Sequence, residues 1–345
     1  MELGAVVMVP AKADLAAVEE AHRYSDAASE NSHWLHPSRT PILGNDVLRS
    51  WTERVRKLGI KNLWLTSSPG QSGPAFERSA CAALVDLARH GIERLLLIKL
   101  KSYAEIDLAD LLRFHCETRS PITEAQDDRG QLGVSLFDRH ALDGTDDQND
   151  EQHESYRSFG SRRMPYRFRG YAKRILSAKE RQELVGDGLT GGCAMRPLGT
   201  QIRDQVWVGE GVNVAASARI IGPIFIGART TIRAGATIGP YASVEHDCIV
   251  DCGTTVQHAT ILPHTYLATG LLIRHALVDG RYLEDLESPA VADLQPAGLG
   301  KSMLQKESRK KPFDEPAIDA LARAGSGWSF APFSTTSQPW LQVQL

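Results

Sequence analysis

Three histidines in the last third of the chain could act as proton acceptors. His246, His258 and His264 lie close together in the sequence, and His246 and His264 are 18 residues apart (264 − 246 = 18). An imidazole titrates near neutral pH, so it can take a proton from a hydroxyl or an amine. The two side chains can act at one place only if the fold brings residues 18 apart together.

An aliphatic residue recurs at every sixth position in the same part of the chain. A period of six fits neither a helix nor a strand, but it fits a parallel β-helix of triangular section, which buries one such residue on each side of each coil. Three sides make a coil of about 18 residues. The six-residue period therefore predicts about three and a half coils over residues 202–262. The positions are Ile202, Val208, Val214, Ile220, Ile226, Ile232, Ile238, Val244, Val250, Val256 and Leu262.

This period has consequences for the neighbouring residues. His246 and His264 should lie on the same corner, one coil apart and about 4.8 Å from each other. Gly209, Gly227 and Gly239 directly follow repeat positions, where the turn is expected to require φ > 0. The open ends of the coil need covering, and RPLGTQIRDQ before the repeat and HALVDGRYLEDL after it are the expected caps.

Residues 1–140 follow a different pattern. Strand-like runs alternate with amphipathic helical segments, and the helices end at Gly59 and Gly91, as a glycine C-cap predicts. This alternation is typical of βαβ units on a mostly parallel sheet. The strand-like runs are GAVVMVP, IKNLWLTS and ERLLLIKL, and the helical segments are DVLRSWTERVRKLG and FERSACAALVDLARHG.

Composition limits the classes of partner. The chain has 345 residues, a net charge of −3 and 42% hydrophobic residues, which is typical of a globular protein with no nucleic-acid partner. No apolar run is long enough to span a bilayer, and the first residues lack the pattern of a signal peptide, so we expect a cytoplasmic protein. The five scattered cysteines predict reduced thiols and no metal site.

Four segments follow from these patterns. Residues 1–140 are expected to form the α/β domain and residues 201–285 the β-helix. Residues 141–200 form a charged connector, in which the acidic stretch 143–155 precedes the basic, aromatic stretch 161–174. Residues 286–345 are expected to form a tail that is partly disordered or docked.

The repeat is similar to the hexapeptide-repeat family, which implies a left-handed coil. The whole arrangement resembles the sugar-1-phosphate nucleotidyltransferases, also called nucleotide-sugar pyrophosphorylases, over about residues 1–285. The likeness rests on residues 39–65 (RTPILGNDVLRSWTERVRKLGIKNLWL), 105–118 (EIDLADLLRFHCET) and 260–283 (TILPHTYLATGLLIRHALVDGRYL). It implies an α/β plus all-β fold, with a Rossmann-like nucleotidyltransferase domain followed by a left-handed parallel β-helix.

The resemblance also marks where this chain departs from the family. The glycine-rich loop after the first strand is replaced by VPAKADLAAVEE, and Thr40 with Pro41 stands at the family's Lys-Pro pair. Lys101 stands where the resemblance places the Asp that binds Mg²⁺. No cofactor is therefore expected if the protein is inactive. If it is active, we expect it to use Mg²⁺. The candidate substrate-binding residues are Lys12, Arg39, Lys101 and Asp107.

Three functions remain open at this point. The first is a nucleotidyltransferase-like protein of nucleotide-sugar or cell-surface polysaccharide metabolism, with weakened or lost pyrophosphorylase activity. The second is a hexapeptide-repeat acyltransferase that uses His246 and His264. The third is a non-catalytic regulatory or scaffolding subunit. The expected partners are a nucleotide sugar or sugar phosphate and further copies of the chain, assembled through the β-helix.

Overall fold

The chain divides into two compact units. A computed structural model describes residues 3–9, 40–67, 74–142, 163–288, 291–294, 329–330 and 340–344. One unit comprises Met1–Gly199 with Ala331–Leu345, and the other comprises Thr200–Phe330.

The first unit alternates strands and helices along the chain. Its elements up to residue 199 are β1 (Leu3–Val9), α1 (Val47–Lys57), β2 (Asn62–Ser67), α2 (Pro74–Arg89), β3 (Arg94–Lys99), β4 (Ser102–Ala104), α3 (Leu108–Thr118), β5 (Ile122–Asp127), β6 (Gly130–Asp138), a 3-10 turn (Arg139–Leu142), β7 (Arg163–Arg167), β8 (Ala172–Arg174) and α4 (Ala178–Thr190).

The second unit contains short strands and no helix among its described residues. They are β9 (Thr200–Arg203), β10 (Val206–Val208), β11 (Asn213–Val214), β12 (Arg219–Ile220), β13 (Ile224–Ile226), β14 (Thr231–Ile232), β15 (Thr237–Ile238), β16 (Ala242–Val244), β17 (Ile249–Val250), β18 (Thr255–Gln257), β19 (Thr260–Ile261), β20 (Tyr266–Leu267), β21 (Leu272–Arg274), β22 (Ala276–Asp279), β23 (Tyr282–Asp285) and β24 (Val291–Asp293). Two further strands follow, β25 (Ser329–Phe330) and β26 (Trp340–Gln344).

The main sheet of the first unit is built around β1. Its order includes β26-β2-β1-β3-β6-β5-β7, and β1 pairs in parallel with both β2 and β3. Residues Ala5 to Met8 of β1 are fully buried, as expected for a central strand of a parallel sheet. Leu84 and Leu87 of α2 pack with Leu95 and Leu97 of β3 in one core. The predicted alternation of strands and helices is confirmed.

The helix ends of this unit follow from local sequence. Asp46 caps α1, where its side chain accepts from the Arg49 amide at 3.2 Å. Gly59 has φ +78° just after α1, and Gly91 has φ +89° just after α2. The predicted glycine C-caps are therefore confirmed, because these φ values are readily adopted only by glycine.

Residues from both the connector and the tail form strands in the first unit. Residues 163–190 of the connector contribute β7, β8 and α4. In the tail, β26 pairs antiparallel with β2, with Leu65 opposite Leu341. The last described strand of the chain therefore covers one edge of β2.

Three parallel sheets make up the repeat region of the second unit. The chain visits them in rotation, so that β10, β13, β16, β19 and β22 share one sheet, β11, β14, β17 and β20 a second, and β12, β15, β18 and β21 a third. In the first sheet, β9 flanks β10 and β23 flanks β22, both antiparallel. The predicted caps are therefore confirmed for the two ends of this sheet.

The coil repeat shortens part-way along the second unit. Val208 pairs with Ile226, which pairs with Val244, each 18 residues on. Val244 then pairs with Ile261, 17 residues on, because the corner after Val256 contains one residue fewer. The prediction that Leu262 continues the series is wrong, and Ile261 occupies that position.

Two other sequence-based expectations are corrected. Ile202 lies in β9 and is 58% exposed, so it does not extend the buried series. Gly239 has φ +101°, as predicted, but Gly209 and Gly227 do not have φ > 0. These two glycines are needed for another reason, because a Cβ on either would lie 2.5 Å from a backbone nitrogen of the next coil.

Burial of the repeat residues can be tested with one pair of matched substitutions. Ile238→Ala removes a fully buried side chain from the core of the second unit and should cost about 2–5 kcal/mol of unfolding free energy. Ile202→Ala makes the same change at an exposed position and should cost less than about 0.5 kcal/mol. Urea unfolding followed by circular dichroism measures both. Equal losses would contradict the assignment of Ile202 to the surface.

Candidate functional site

The carboxyl ends of β1, β2 and β3 form the edge at which open α/β sheets bind ligands. Beyond the strand ends, the Leu100 amide continues the ladder by donating to the Met8 carbonyl at 3.1 Å. The chain then turns sharply, since the Lys101 amide donates to the Lys99 carbonyl at 2.7 Å. Lys101 is therefore fixed on the turn that follows a central strand.

Two lysines define the charge at this edge. Lys99 is only 8% exposed and Lys101 is half-buried. The stretch KLKSYA, residues 99–104, contains no acidic residue. Cations held in partly buried positions attract phosphate oxygens strongly, whereas Mg²⁺ requires carboxylate or other oxygen ligands. Residues 99–104 of this turn therefore offer no carboxylate ligand to Mg²⁺.

Gly133 of β6 permits the close approach of the chain at Lys99. It has φ +77°, and a Cβ there would lie 2.7 Å from the Lys99 carbonyl oxygen. The antiparallel pairing of β3 with β6 runs only as far as Ile98 opposite Val134. Glycine at this position therefore lets β6 lie against the Lys99 backbone where the lysine turn begins.

A buried arginine reaches the segment at Thr40 and Pro41. Arg181 of α4 is 1% exposed, and its Nη1 donates to the Thr40 hydroxyl at 2.6 Å while its Nη2 donates to the Pro41 carbonyl. Sequence reasoning missed Arg181, although the capping box formed by Ser177 and Glu180 is a signal for a helix starting there. The Arg181 guanidinium thus contacts Thr40 and Pro41, where the resemblance places the family's Lys-Pro pair.

The acidic groups near β4 and β8 already have partners. The Glu105 carboxylate accepts from the Tyr103 hydroxyl at 3.2 Å and from the Ala194 amide. The Asp187 carboxylate accepts from the Tyr171 hydroxyl at 2.5 Å. Burial raises the pKa of the Tyr171 hydroxyl, and its bond to Asp187 adds to this shift. These carboxylates hold β4, β8 and α4 together.

The four candidate substrate-binding residues are not brought together in the described part of the chain. Lys12 and Arg39 lie outside the described residues. Asp107 is the N-cap of α3, where its carboxylate accepts from the Ala109 amide at 2.9 Å. This contact accounts for Asp107 as a helix-start residue. Lys101 remains the candidate with a defined place at the strand ends.

His115, from the stretch similar to the nucleotidyltransferases, lies in the core. It is 1% exposed, its Nδ1 lies 2.8 Å from the Thr123 hydroxyl, and its Nε2 lies 3.3 Å from an Asp138 oxygen. Burial lowers the pKa of the imidazole, and the Asp138 carboxylate opposes this only in part. His115 therefore acts as a structural residue that links α3 to β5 and β6.

The basic stretch 161–174 has carboxylate partners on β5. Arg163 lies 2.6 Å from a Glu124 oxygen, and Arg174 makes two bonds to Asp127 of 2.9 and 2.7 Å. The acidic stretch 143–155 lies outside the described residues. Strand carboxylates thus offset these two arginine charges, and the pair with Arg174 lowers the pKa of Asp127.

The second unit brings His246 and His264 together at one corner. Their ring centroids lie 5.1 Å apart, with the rings nearly perpendicular. Because of the shortened coil, His264 lies in the column of Asp247 rather than that of His246. His246 Nδ1 lies 2.8 Å from an Asp247 oxygen. A carboxylate so placed orients the ring as a general base requires, so the acyl-transfer alternative stays a prediction.

A second corner carries a stack of aromatic rings. His258 stacks between Tyr241 and His275, with centroid separations of 5.1 and 5.0 Å. Burial lowers the pKa of His258, and the neighbouring His275 adds to this shift. His258 thus differs from His246 in having rings rather than a carboxylate beside it.

Comparison with known proteins gives one partial similarity. A 104-residue part of the chain is 33% identical to the UTP–glucose-1-phosphate uridylyltransferase of Synechocystis sp.. It covers 29% of this chain, and the chain spans about a quarter of that relative's length, 26%. No known family model matches the chain. The similarity, though weak, supports a relation to the nucleotidyltransferases of sugar metabolism.

None of the helices in the described ranges combines the length and the apolar character that crossing a bilayer requires.

The buried state of His115 predicts a pH dependence of stability. Its pKa is lower in the folded than in the unfolded chain, so the unfolded chain binds more protons as the pH falls below about 6.5. Stability is therefore fully present above that pH and is lost below it, by at most about 1.4 kcal/mol per pH unit.

Unfolding free energies measured from pH 7.5 to 5.0 test this contribution. The His115→Gln variant should show a shallower decline than the wild type, because glutamine has no proton to gain on unfolding. An identical slope in His115→Gln and wild type would show that His115 does not titrate on unfolding.

Proposed function

We propose that this protein is a nucleotidyltransferase-like protein of nucleotide-sugar or cell-surface polysaccharide metabolism, whose pyrophosphorylase activity is weakened or lost. The observation that carries the proposal is Lys101, an ammonium on the turn after the central strand β3. The similarity to a uridylyltransferase that uses glucose 1-phosphate supports the ligand class.

The charge at Lys101 is the reason for proposing lost turnover. Nucleotidyl transfer gathers several phosphate charges, and Mg²⁺ both neutralises them and polarises the reacting phosphoryl group. A lysine can neutralise charge, but it cannot coordinate several oxygens at once. With Lys99 beside it and no acidic residue in KLKSYA, this edge favours binding a diphosphate over reacting with it. Mg²⁺ is accordingly not part of the proposal.

A protein that binds the ligand without turning it over can act as a regulatory subunit. We favour this role for the protein. The bond network of Arg181, Thr40 and Pro41 supports a segment held rigidly in place near the start of α1. A site whose walls are fixed before the ligand arrives loses less entropy on binding. A nucleotide sugar or a sugar phosphate is the proposed ligand.

For the second unit we propose a left-handed parallel β-helix that mediates self-association. The rotation of the chain through three parallel sheets supports the β-helix. Exposed apolar side chains, among them Tyr266 and Leu272, support an interface between copies. A cytoplasmic location is part of the same proposal, since nucleotide sugars are the proposed ligands.

The proposed ligand class can be tested at Lys101. Titration calorimetry with UDP-glucose, UDP-GlcNAc, GDP-mannose and dTDP-glucose should find at least one that binds the wild type. Lys101→Glu should weaken that binding about tenfold or more, because a charge-assisted contact is replaced by repulsion. Lys61→Glu is the matched control, since exposed Lys61 precedes parallel β2 at the opposite edge of the sheet. Equal losses in both variants would contradict a site at Lys101.

Loss of turnover can be tested separately. Purified protein with Mg²⁺, each nucleoside triphosphate and each common sugar 1-phosphate should release no more pyrophosphate than the Lys101→Asp variant does. The variant restores a carboxylate where the resembling enzymes hold Mg²⁺, so any gain should appear there. Pyrophosphate release by the wild type above that of Lys101→Asp would refute the inactive form of the proposal.

A further inference from the structure

The corners of the second unit differ in the residues that adopt φ > 0. One corner uses only glycine on successive coils, at Gly235, Gly253 and Gly270. Another uses Arg229, Asp247 and His264, with φ values of 56°, 57° and 61°. Glycine adopts this conformation without strain, whereas residues with a Cβ do so less readily. The second corner therefore stacks polar side chains at positions where only glycine would be free of strain.

Three potential metal ligands meet at this corner. His246, Asp247 and His264 each offer one ligand atom, and these atoms all lie within 4.8 Å of one another. His246 Nδ1 is 2.8 Å and His264 Nδ1 is 4.0 Å from the same Asp247 oxygen. Ligand atoms around a tetrahedral zinc ion are about 3.4 Å apart, given Zn–N and Zn–O distances of about 2.0–2.2 Å. The two observed separations, 2.8 and 4.0 Å, lie on either side of this value.

We propose that His246, His264 and Asp247 bind a divalent transition metal ion of the zinc class. Two borderline imidazoles and one hard carboxylate form a ligand set that suits Zn²⁺ and its neighbours and leaves one or more positions open. The side chains of His246 and His264 are 34% and 55% exposed, so an ion can reach them from solvent. The proposal goes beyond nucleotide-sugar binding, because its residues all lie in the second unit.

Arg229 fixes the position of the Asp247 carboxylate. Its Nε and Nη2 donate to the two Asp247 oxygens at 2.7 and 2.6 Å. This pairing also lowers the pKa of the Asp247 carboxyl well below its usual range. The Arg229 side chain is 65% exposed, which screens its repulsion of a cation. The remaining lone pairs on the carboxylate oxygens stay available for a metal.

Metal binding and general-base catalysis are competing uses of His246. A bound ion takes the lone pair that a base needs to accept a proton, so one nitrogen cannot do both. Zinc titration distinguishes the two uses directly, because it requires no substrate.

Isothermal titration of the full chain with ZnCl₂ at pH 7.5 tests the site. We expect a saturable event that weakens about tenfold or more in His264→Asn and in Asp247→Asn, through the loss of one ligand of three. Asparagine adopts φ > 0 readily, so His264→Asn retains the corner conformation. Circular dichroism checks that each variant is folded.

His258→Asn is the matched control. His258 also has φ > 0, at 47°, and lies 5.0 Å from the ring of His275, whose Nδ1 is 3.7 Å from a Glu287 oxygen. Among the described residues, however, these three do not bring their ligand atoms within 4.8 Å of one another. Its zinc affinity should equal that of the wild type. The proposal is overturned if the wild type shows no saturable zinc binding, if His264→Asn binds as tightly as the wild type, or if His258→Asn loses as much affinity as His264→Asn.

Discussion

Parallel pairing of backbone groups is the constraint on which both units depend. Neighbouring strands lie about 4.8 Å apart, and a parallel pair aligns its carboxyl ends on one edge. In the first unit this pairing sets β1 between β2 and β3 and brings the turn at Lys101 to the edge of the sheet. In the second unit it stacks each coil on the next, so that every corner becomes a column of side chains.

The same constraint gives the two candidate sites different chemistry. At the end of β3 the backbone closes a tight turn, and the lysines there are supported by close approach of Gly133. The carboxylates of neighbouring strands and helices are occupied by tyrosines, amides and arginines. The stretch KLKSYA at this turn contains two lysines and no acidic residue. At the corner of the second unit, stacking brings unlike side chains together instead, with a carboxylate between two imidazoles.

Sequence periodicity predicted the architecture better than it predicted contacts. The six-residue period located the repeat strands, and the alternation of strand and helix patterns located the first sheet, because both reflect burial of regularly spaced side chains. The period could not reveal the missing residue after Val256, since Leu262 is as apolar as Ile261. That single residue moves His264 from the column of His246 to the column of Asp247.

Contacts between distant segments were beyond sequence reasoning altogether. Arg181 reaches Thr40 across 141 positions, and β26 joins β2 from the end of the chain. Nothing in the local pattern of either segment encodes its partner. Ile202 was misassigned for a related reason, because an antiparallel cap beside the first coil can hold an aliphatic residue in phase with the repeat and still expose it.

The side chains at the corners require an energetic explanation that packing does not supply. A residue with a Cβ in the left-handed region costs on the order of 1 kcal/mol, somewhat less for Asp and His, and glycine avoids that cost. The surface ion pair of Arg229 with Asp247 stabilises the fold by about 0–1 kcal/mol. A ring contact such as that of His246 with His264 stabilises it by about 0.5–1.5 kcal/mol. These gains roughly offset the strain and leave little net stabilisation. The corner of Tyr241, His258 and His275 meets the same cost, with φ values of 52°, 47° and 46°, and there stacked rings take the place of the ion pair.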